Sequence, residues 1–115
     1  MKKLTEIARF TDRLEEMIGF YQKLLDTEPQ VRSDGMAIFI VGETKLFVHR
    51  SYTPAEGELP PEDHLAFTIP DVDAACAQLT SAGLSIEVPG KEYYWGYSAY
   101  LRDPDGQLIE LIQAE

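Results

Sequence analysis

An order of secondary-structure elements that occurs twice is the feature that most constrains this chain. In each half, a short apolar strand precedes an amphipathic helix, and three further strands follow. Between the halves lies a segment rich in proline and acidic residues, which is typical of a linker. The residue identities hardly match between the halves, so the repeat is one of pattern. The sequence predicts an α+β protein with two βαβββ modules, residues 1–52 and 63–115, joined by a linker over residues 53–62.

The two helices are predicted from their apolar spacing and from the residues at their ends. The first carries apolar residues at i, i+3, i+4 and i+7 spacing, and Asp12 is its predicted N-cap. The second has Asp71 as N-cap and Gly83 as C-terminal stop. We therefore interpret Asp12 and Asp71 as corresponding positions of the two modules.

The chain closes with two apolar runs on either side of Asp-Pro-Asp-Gly, residues 103–106. The proline presets φ and the glycine allows a positive φ, so the segment predicts an antiparallel hairpin. The second strand carries one carboxylate, Glu110, which alternation places on the face of Leu108 and Ile112. A buried carboxylate is costly unless it has a partner. The partner of Glu110 is therefore the central question for function.

The composition limits the compartment and the partners. A formal net charge of −10 argues against nucleic acid and anionic membranes and favours neutral or cationic ligands. A single cysteine, Cys76, excludes an internal disulfide and suits the cytoplasm. No signal peptide and no membrane-spanning run is predicted.

The order of the elements, together with three stretches, carries a resemblance to a known family; the stretches are Trp95-Gly96, Asp103 to Leu111 and His64 to Asp73. Through these features the chain resembles the vicinal oxygen chelate superfamily. This superfamily includes glyoxalase I, bleomycin-resistance proteins, extradiol dioxygenases and fosfomycin-resistance thiol transferases. The resemblance covers essentially the whole chain. It implies curved mixed sheets around a cleft, a small-molecule ligand or substrate, and a homodimer. In metal-dependent members, His and Glu side chains hold a divalent ion in the cleft.

Carried over to this chain, the resemblance implies His64 and Glu110 as metal ligands, with Glu110 as ligand or general base. The ion would be Zn²⁺, Ni²⁺, Mn²⁺ or Fe²⁺. The two side chains could instead satisfy each other by hydrogen bonding. His64 lies seven residues before the cap Asp71. The residue seven positions before the predicted cap of the first helix, Asp12, is Thr5. A neutral hydroxyl binds divalent ions weakly, so the metal site is expected to be incomplete at Thr5.

Two other side chains could supply the third ligand. Glu6 points to the opposite face unless a register slip or a bulge turns it. His49 lies two residues after Phe47, which matches the position of Glu110 in the first module. A surface position at the end of a strand is the simpler interpretation of His49.

The predicted lining of the cleft combines a cation with aromatic and hydroxyl side chains. Arg9 either pairs with Glu110, grips an anionic ligand or is solvated at the sheet edge. The aromatic residues either stack on a flat ligand or fill the core. The predicted lining residues are Arg9, Phe47, Trp95, Ser98 and Tyr100.

Two functions follow from these residues. The first is a binding protein of the bleomycin-resistance kind, which holds a small amphipathic or aromatic molecule beside an incomplete metal site. The alternative is a divalent-metal-dependent enzyme, either a glyoxalase-type lyase or isomerase or a thiol transferase, that uses His64 and Glu110. The absence of a ligand at Thr5, the aromatic run and the acidic charge favour the first hypothesis, whereas His64 and Glu110 favour the second.

Overall fold

The computed structural model describes residues 2–56, 58–59 and 61–115, and within them two helices and eight strands follow the predicted order. The first half contains β1 (Lys3–Thr11), α1 (Leu14–Leu25), β2 (Val31–Arg32), β3 (Met36–Val41) and β4 (Thr44–Arg50). The second contains β5 (His64–Ile69), α2 (Val72–Ser81), β6 (Ile86–Tyr93), β7 (Gly96–Arg102) and β8 (Leu108–Gln113). The α+β class and the twofold strand–helix–three-strand order are confirmed.

The described residues form two compact units. The N-terminal unit runs from Glu6 to Asp63, and the C-terminal unit comprises His64–Glu115 with the start of β1 up to Thr5. The predicted linker lies between β4 and β5, and its Gly57 and Pro60, like Met1, lie outside the described residues. The exact module boundaries stay a prediction. Neither helix has the length and apolar character that a membrane span requires.

The N-terminal unit packs α1 against a sheet with the strand order β2-β3-β4-β1. Strands β1 and β4 are parallel, whereas β3 pairs with β2 and β4 in antiparallel fashion. The apolar stripe of α1 supplies Leu14 and Ile18, and the sheet supplies Ala37, Phe39 and Val48. One face of this sheet therefore packs against α1 and forms the core of the unit.

The C-terminal unit repeats this arrangement with the strand order β5-β8-β7-β6. Strands β5 and β8 are parallel, and the other pairs are antiparallel. Its core joins Val72 of α2 to Ala99, Leu101 and Leu111 of the sheet. Because side chains alternate along a strand, the neighbouring residues Ser98, Tyr100 and Glu110 project from the other face.

The start of α1 differs from the prediction by one residue. The N-cap is Arg13, with no side-chain cap bond, so the predicted Asp12 cap is wrong. The Thr11 hydroxyl accepts the Arg13 N–H at 2.9 Å and closes a local turn before the helix, which then begins at the buried Leu14. By contrast, the Asp71 cap of α2 is confirmed by a bond of 3.0 Å from Ala74 N to Asp71 Oδ1.

The closing hairpin has the predicted turn chemistry. Gly106 takes a positive φ of 88°, and its N–H donates to the carbonyl oxygen of Asp103 at 2.9 Å. The Asp103 side chain accepts the N–H groups of Asp105 and Gln107. The turn thereby sets the register in which Tyr100 lies opposite Glu110.

Candidate metal centre

Glu110 is buried in β8, with 4% of its surface exposed, and both carboxylate oxygens have partners. Oε1 lies 3.2 Å from His64 Nε2. Oε2 accepts a hydrogen bond of 2.8 Å from the Ser98 hydroxyl and one of 3.1 Å from the Trp95 indole N–H. These three side chains answer the question that the sequence raised about Glu110.

The surroundings of Glu110 favour its ionised form. Burial by itself raises the pKa of this carboxyl group, because it penalises the charged state. Hydrogen bonds from His64, Ser98 and Trp95 act in the opposite direction, and the net effect is a pKa below the ordinary value. A buried carboxylate that stays charged is suited to bind a cation.

Glu6 joins His64 and Glu110 in a group that could hold a metal ion. One ligand atom from each of the three side chains lies within 4.8 Å of the other two. Glu6, and not Thr5, therefore belongs to the group that could hold an ion, while the missing ligand at Thr5 stays a prediction. The Thr5 hydroxyl instead lies 2.8 Å from the Thr68 hydroxyl and donates to the Ala66 carbonyl oxygen at 3.5 Å.

The observed start of α1 changes which residue of the first module corresponds to His64. Counting seven residues back from the true N-cap, Arg13, gives Glu6, just as seven residues back from Asp71 gives His64. The strand pairings agree with this correspondence. Glu6 lies opposite Lys45 in β4, two residues before Phe47, and His64 lies opposite Leu108 in β8, two residues before Glu110.

The donor set suits a divalent ion. Two carboxylates and one neutral imidazole bring a formal charge of −2, which balances the charge of the cation. Oxygen and imidazole nitrogen are ligands for Mn²⁺, Fe²⁺, Ni²⁺ and Zn²⁺ alike, so the donors alone do not select one metal. Three protein ligands would leave coordination positions for substrate, as catalytic sites require.

The remaining candidate ligand, His49, has a different environment. Its Nδ1 lies 2.6 Å from the Arg50 carbonyl oxygen, and its ring packs among Phe10, Phe47 and Tyr52 with centroid distances of 5.4 to 5.6 Å. It lies outside the three-residue group that could hold a metal. The structure therefore places His49 and the predicted cleft residue Phe47 in one aromatic cluster.

Arg9 is held by a carboxylate that the sequence analysis did not consider. Its Nε donates to Asp63 Oδ2 at 2.7 Å, and Asp63 Oδ1 accepts the N–H of Phe10 at 2.8 Å. Asp63 directly precedes His64 in the sequence. No local sequence pattern predicts that it pairs with Arg9, which is distant along the chain. Arg9 thus acts on Asp63, while Glu110 takes its partners from His64, Ser98 and Trp95.

The structure does bring together the predicted cleft residues of the C-terminal unit. Ser98 and Trp95 bond the same Glu110 oxygen, and the Tyr100 ring stands edge-on to His64 at a centroid distance of 6.4 Å. Tyr93, absent from the predicted site residues, stacks on Trp95 at 4.4 Å with the two ring planes 7° apart. The run of aromatics from Tyr93 to Tyr100 was the signal that could have identified it.

Comparisons with known proteins define the family. The model of the Glyoxalase/Bleomycin resistance protein/Dioxygenase superfamily matches residues 3–111. The chain belongs to this superfamily, as its sequence motifs predicted.

Two curated relatives and two solved structures illustrate the relationship. The metallothiol transferase FosB of Shouchella clausii is 31% identical, over 85% of this chain and 70% of the relative. The glutathione transferase FosA of Serratia marcescens is 29% identical, over 96% of this chain and 80% of the relative. A superfamily member from Vibrio splendidus aligns with a TM-score of 0.73 at 15% identity, over 99% and 100% of the two chains. Streptomyces coelicolor methylmalonyl-CoA epimerase aligns with a TM-score of 0.69 at 18% identity, over 97% of this chain and 94% of the epimerase. At these identities the two solved structures support the fold alone.

Proposed function

We propose that this protein is a divalent-metal-dependent enzyme in which Glu6, His64 and Glu110 hold the ion. The observation that supports this function best is the position of Glu6 beside the other two side chains. The binding-protein hypothesis was favoured by the missing ligand at Thr5, by the aromatic run and by the acidic charge, and the position of Glu6 weakens the first of these arguments. The enzyme alternative is therefore preferred.

The ion, its ligands and the neighbouring Tyr100 would have different roles in catalysis. An ion held by three ligands supplies Lewis-acid polarisation of a substrate oxygen. His64 and Glu110 come from the adjacent parallel strands β5 and β8, which hold the two side chains in fixed register. Tyr100, buried against His64, limits the access of water to this part of the site.

For the reaction class, we propose transfer of a thiol to a small electrophile. The support is the identity of the two curated relatives, one of which is named a metallothiol transferase and the other a glutathione transferase. The acidic charge of the chain fits a neutral or cationic electrophile better than an anionic one. The readout is the loss of cysteine or glutathione thiol with Mn²⁺ and a panel of small electrophiles.

Metal binding is the first test of this function. Tag-free protein should bind about one Mn²⁺ or Zn²⁺ per chain in equilibrium dialysis. Glu6→Gln keeps the size of the side chain but removes one negative charge, so we expect the Kd to rise about tenfold or more, roughly 1.4 kcal/mol.

The control is Glu43→Gln, which removes an exposed carboxylate in the turn between β3 and β4 and should leave the Kd unchanged. Absence of stoichiometric metal binding by the parent would overturn the proposed function. An equal loss in both variants would show that bulk charge, rather than the three-residue centre, attracts the ion.

We also propose that the protein is a homodimer that works in the cytoplasm. Strand β6 ends the sheet order of the C-terminal unit, and an edge strand can pair with another chain. The single cysteine suits a reducing compartment. Light scattering at micromolar concentration should give twice the chain mass, and a monomer mass would contradict the dimer.

A further inference from the structure

The two oxygens of the Glu110 carboxylate differ in their surroundings. Oε2 accepts hydrogen bonds from Ser98 and Trp95, whereas Oε1 faces His64. We propose that Trp95 and Ser98 are positioning residues that hold Oε2, so that Oε1 alone is presented to the ion. This inference rests on the proposed function and names two residues that act on the metal through Glu110.

Both donors converge on one atom. The Ser98 hydroxyl donates to Oε2 at 2.8 Å, and the Trp95 indole N–H donates both to Oε2 at 3.1 Å and to Ser98 Oγ at 3.2 Å. Ser98 is fully buried on β7, with none of its surface exposed to solvent. A carboxylate oxygen that accepts two hydrogen bonds has little remaining capacity to bind a cation.

The fold restricts the orientation of the Trp95 indole. The ring stacks on Tyr93, and the edge of Tyr94 contacts it with a centroid distance of 4.9 Å. Gly96 follows with a φ of +141°, a conformation that favours glycine and turns the chain into β7. The aromatic run before the hairpin therefore packs the structure and also directs the Trp95 indole N–H toward Glu110.

A single ligand atom from Glu110 has a chemical consequence. A carboxylate that can rotate is able to bind an ion through both oxygens and so occupy an additional coordination position. When Oε2 is held by two donors, that position remains available to a substrate oxygen. The hydrogen bonds would thus keep the centre open for chemistry.

The hydrogen bond can be tested first without any metal. Trp95 is the single tryptophan of the chain, so the indole bands in ultraviolet resonance Raman spectra report on Trp95 alone. Glu110→Ala removes the acceptor and should shift the band that is sensitive to N–H hydrogen bonding. Tyr94→Phe, at a side chain that is 98% exposed, should not. An unshifted band in Glu110→Ala would overturn the inference, whatever the metal does.

The second test measures Mn²⁺ binding by Trp95→Phe, which keeps an aromatic ring but removes the N–H, and by Ser98→Ala. Each change should raise the Kd about 10-fold to 100-fold, the usual range for groups that orient a metal ligand. Infrared difference spectra should also show a smaller separation of the two carboxylate stretches, because Glu110 then binds through both oxygens. Tyr94→Phe should match the parent in both measurements.

The outcomes separate the two proposals. If the parent binds no Mn²⁺, the proposed function fails, and the role of Trp95 and Ser98 toward an ion fails with it. If the parent binds Mn²⁺ and both variants keep its Kd and its carboxylate spectrum, this inference alone is overturned. A raised Kd with an unchanged stretch separation would also count against it, because general weakening of the fold, unlike reorientation of Glu110, leaves the binding mode intact.

Discussion

Gly90 leaves room for a hydrogen bond that links α2 to β7. The Tyr97 hydroxyl donates to Asp73 Oδ1 at 2.8 Å. A Cβ atom at residue 90 would lie 2.5 Å from Asp73 Oδ1 and 2.7 Å from the Tyr97 ring and hydroxyl. Real Cβ contacts are not this short, so any side chain would have to displace this pair.

Alanine substitutions at two glycines should therefore have opposite effects. Gly90→Ala is expected to lower the free energy of unfolding by about 1–3 kcal/mol, because both partners must move. Gly19→Ala, inside α1 with nothing within 4 Å of the new Cβ, should raise it by about 0.5–1 kcal/mol. Urea unfolding of both variants checks this, and a neutral Gly90→Ala would show that Asp73 and Tyr97 adjust freely.

At the scale of elements, the two helix starts are unequal. The Asp71 side chain caps α2, whereas Arg13 offers α1 no side-chain acceptor. The exposed pair between Arg13 and Glu16 contributes little in water, although it raises the pKa of Arg13 and lowers that of Glu16. The N-terminus of α1 therefore lacks the side-chain cap bond that Asp71 gives α2.

Cap substitutions should reveal this difference. Asp71→Ala is expected to destabilise the protein by about 1 kcal/mol, and Arg13→Ser to stabilise it by about 0.5–1 kcal/mol. Thermal unfolding monitored by circular dichroism measures both changes. Destabilisation by Arg13→Ser would mean that the pair with Glu16 outweighs the missing cap.

At the scale of the whole molecule, the proposed centre links metal binding to folding. Its ligands come from β1, β5 and β8, which are distant in sequence, so the unfolded chain has no preformed site. An ion that binds only the native state stabilises it according to its concentration relative to the Kd.

Mn²⁺ at a hundred times its Kd should raise the free energy of unfolding by about 2.7 kcal/mol. A chelator should reverse the gain, and Glu6→Gln at the same Mn²⁺ concentration should gain clearly less. Urea titrations with and without Mn²⁺ measure the effect. Equal gains in the parent and in Glu6→Gln would place the stabilising ion elsewhere.

The sequence alone was sufficient for the features that arise within single elements. Alternation placed Glu110 on the face of Leu108 and Ile112, and the Asp-Pro-Asp-Gly turn predicted the hairpin that carries Glu110. These signals are local, because side-chain periodicity and turn chemistry depend on the backbone of a few neighbouring residues. The order of elements followed from the same signals, and the superfamily followed from the resemblance that this order and the sequence motifs carry.

The tertiary structure decided which residues meet. The Thr11 turn and the burial of Leu14 set the start of α1, and counting from that start points to Glu6 instead of Thr5 as the third residue of the proposed metal centre. A slip of one position reverses every side chain of a strand, so an uncertainty of one residue at a helix cap changes which residue is proposed as the third ligand. The convergence of Trp95 and Ser98 on a single oxygen of Glu110 likewise depends on strand register and packing, which no local pattern encodes.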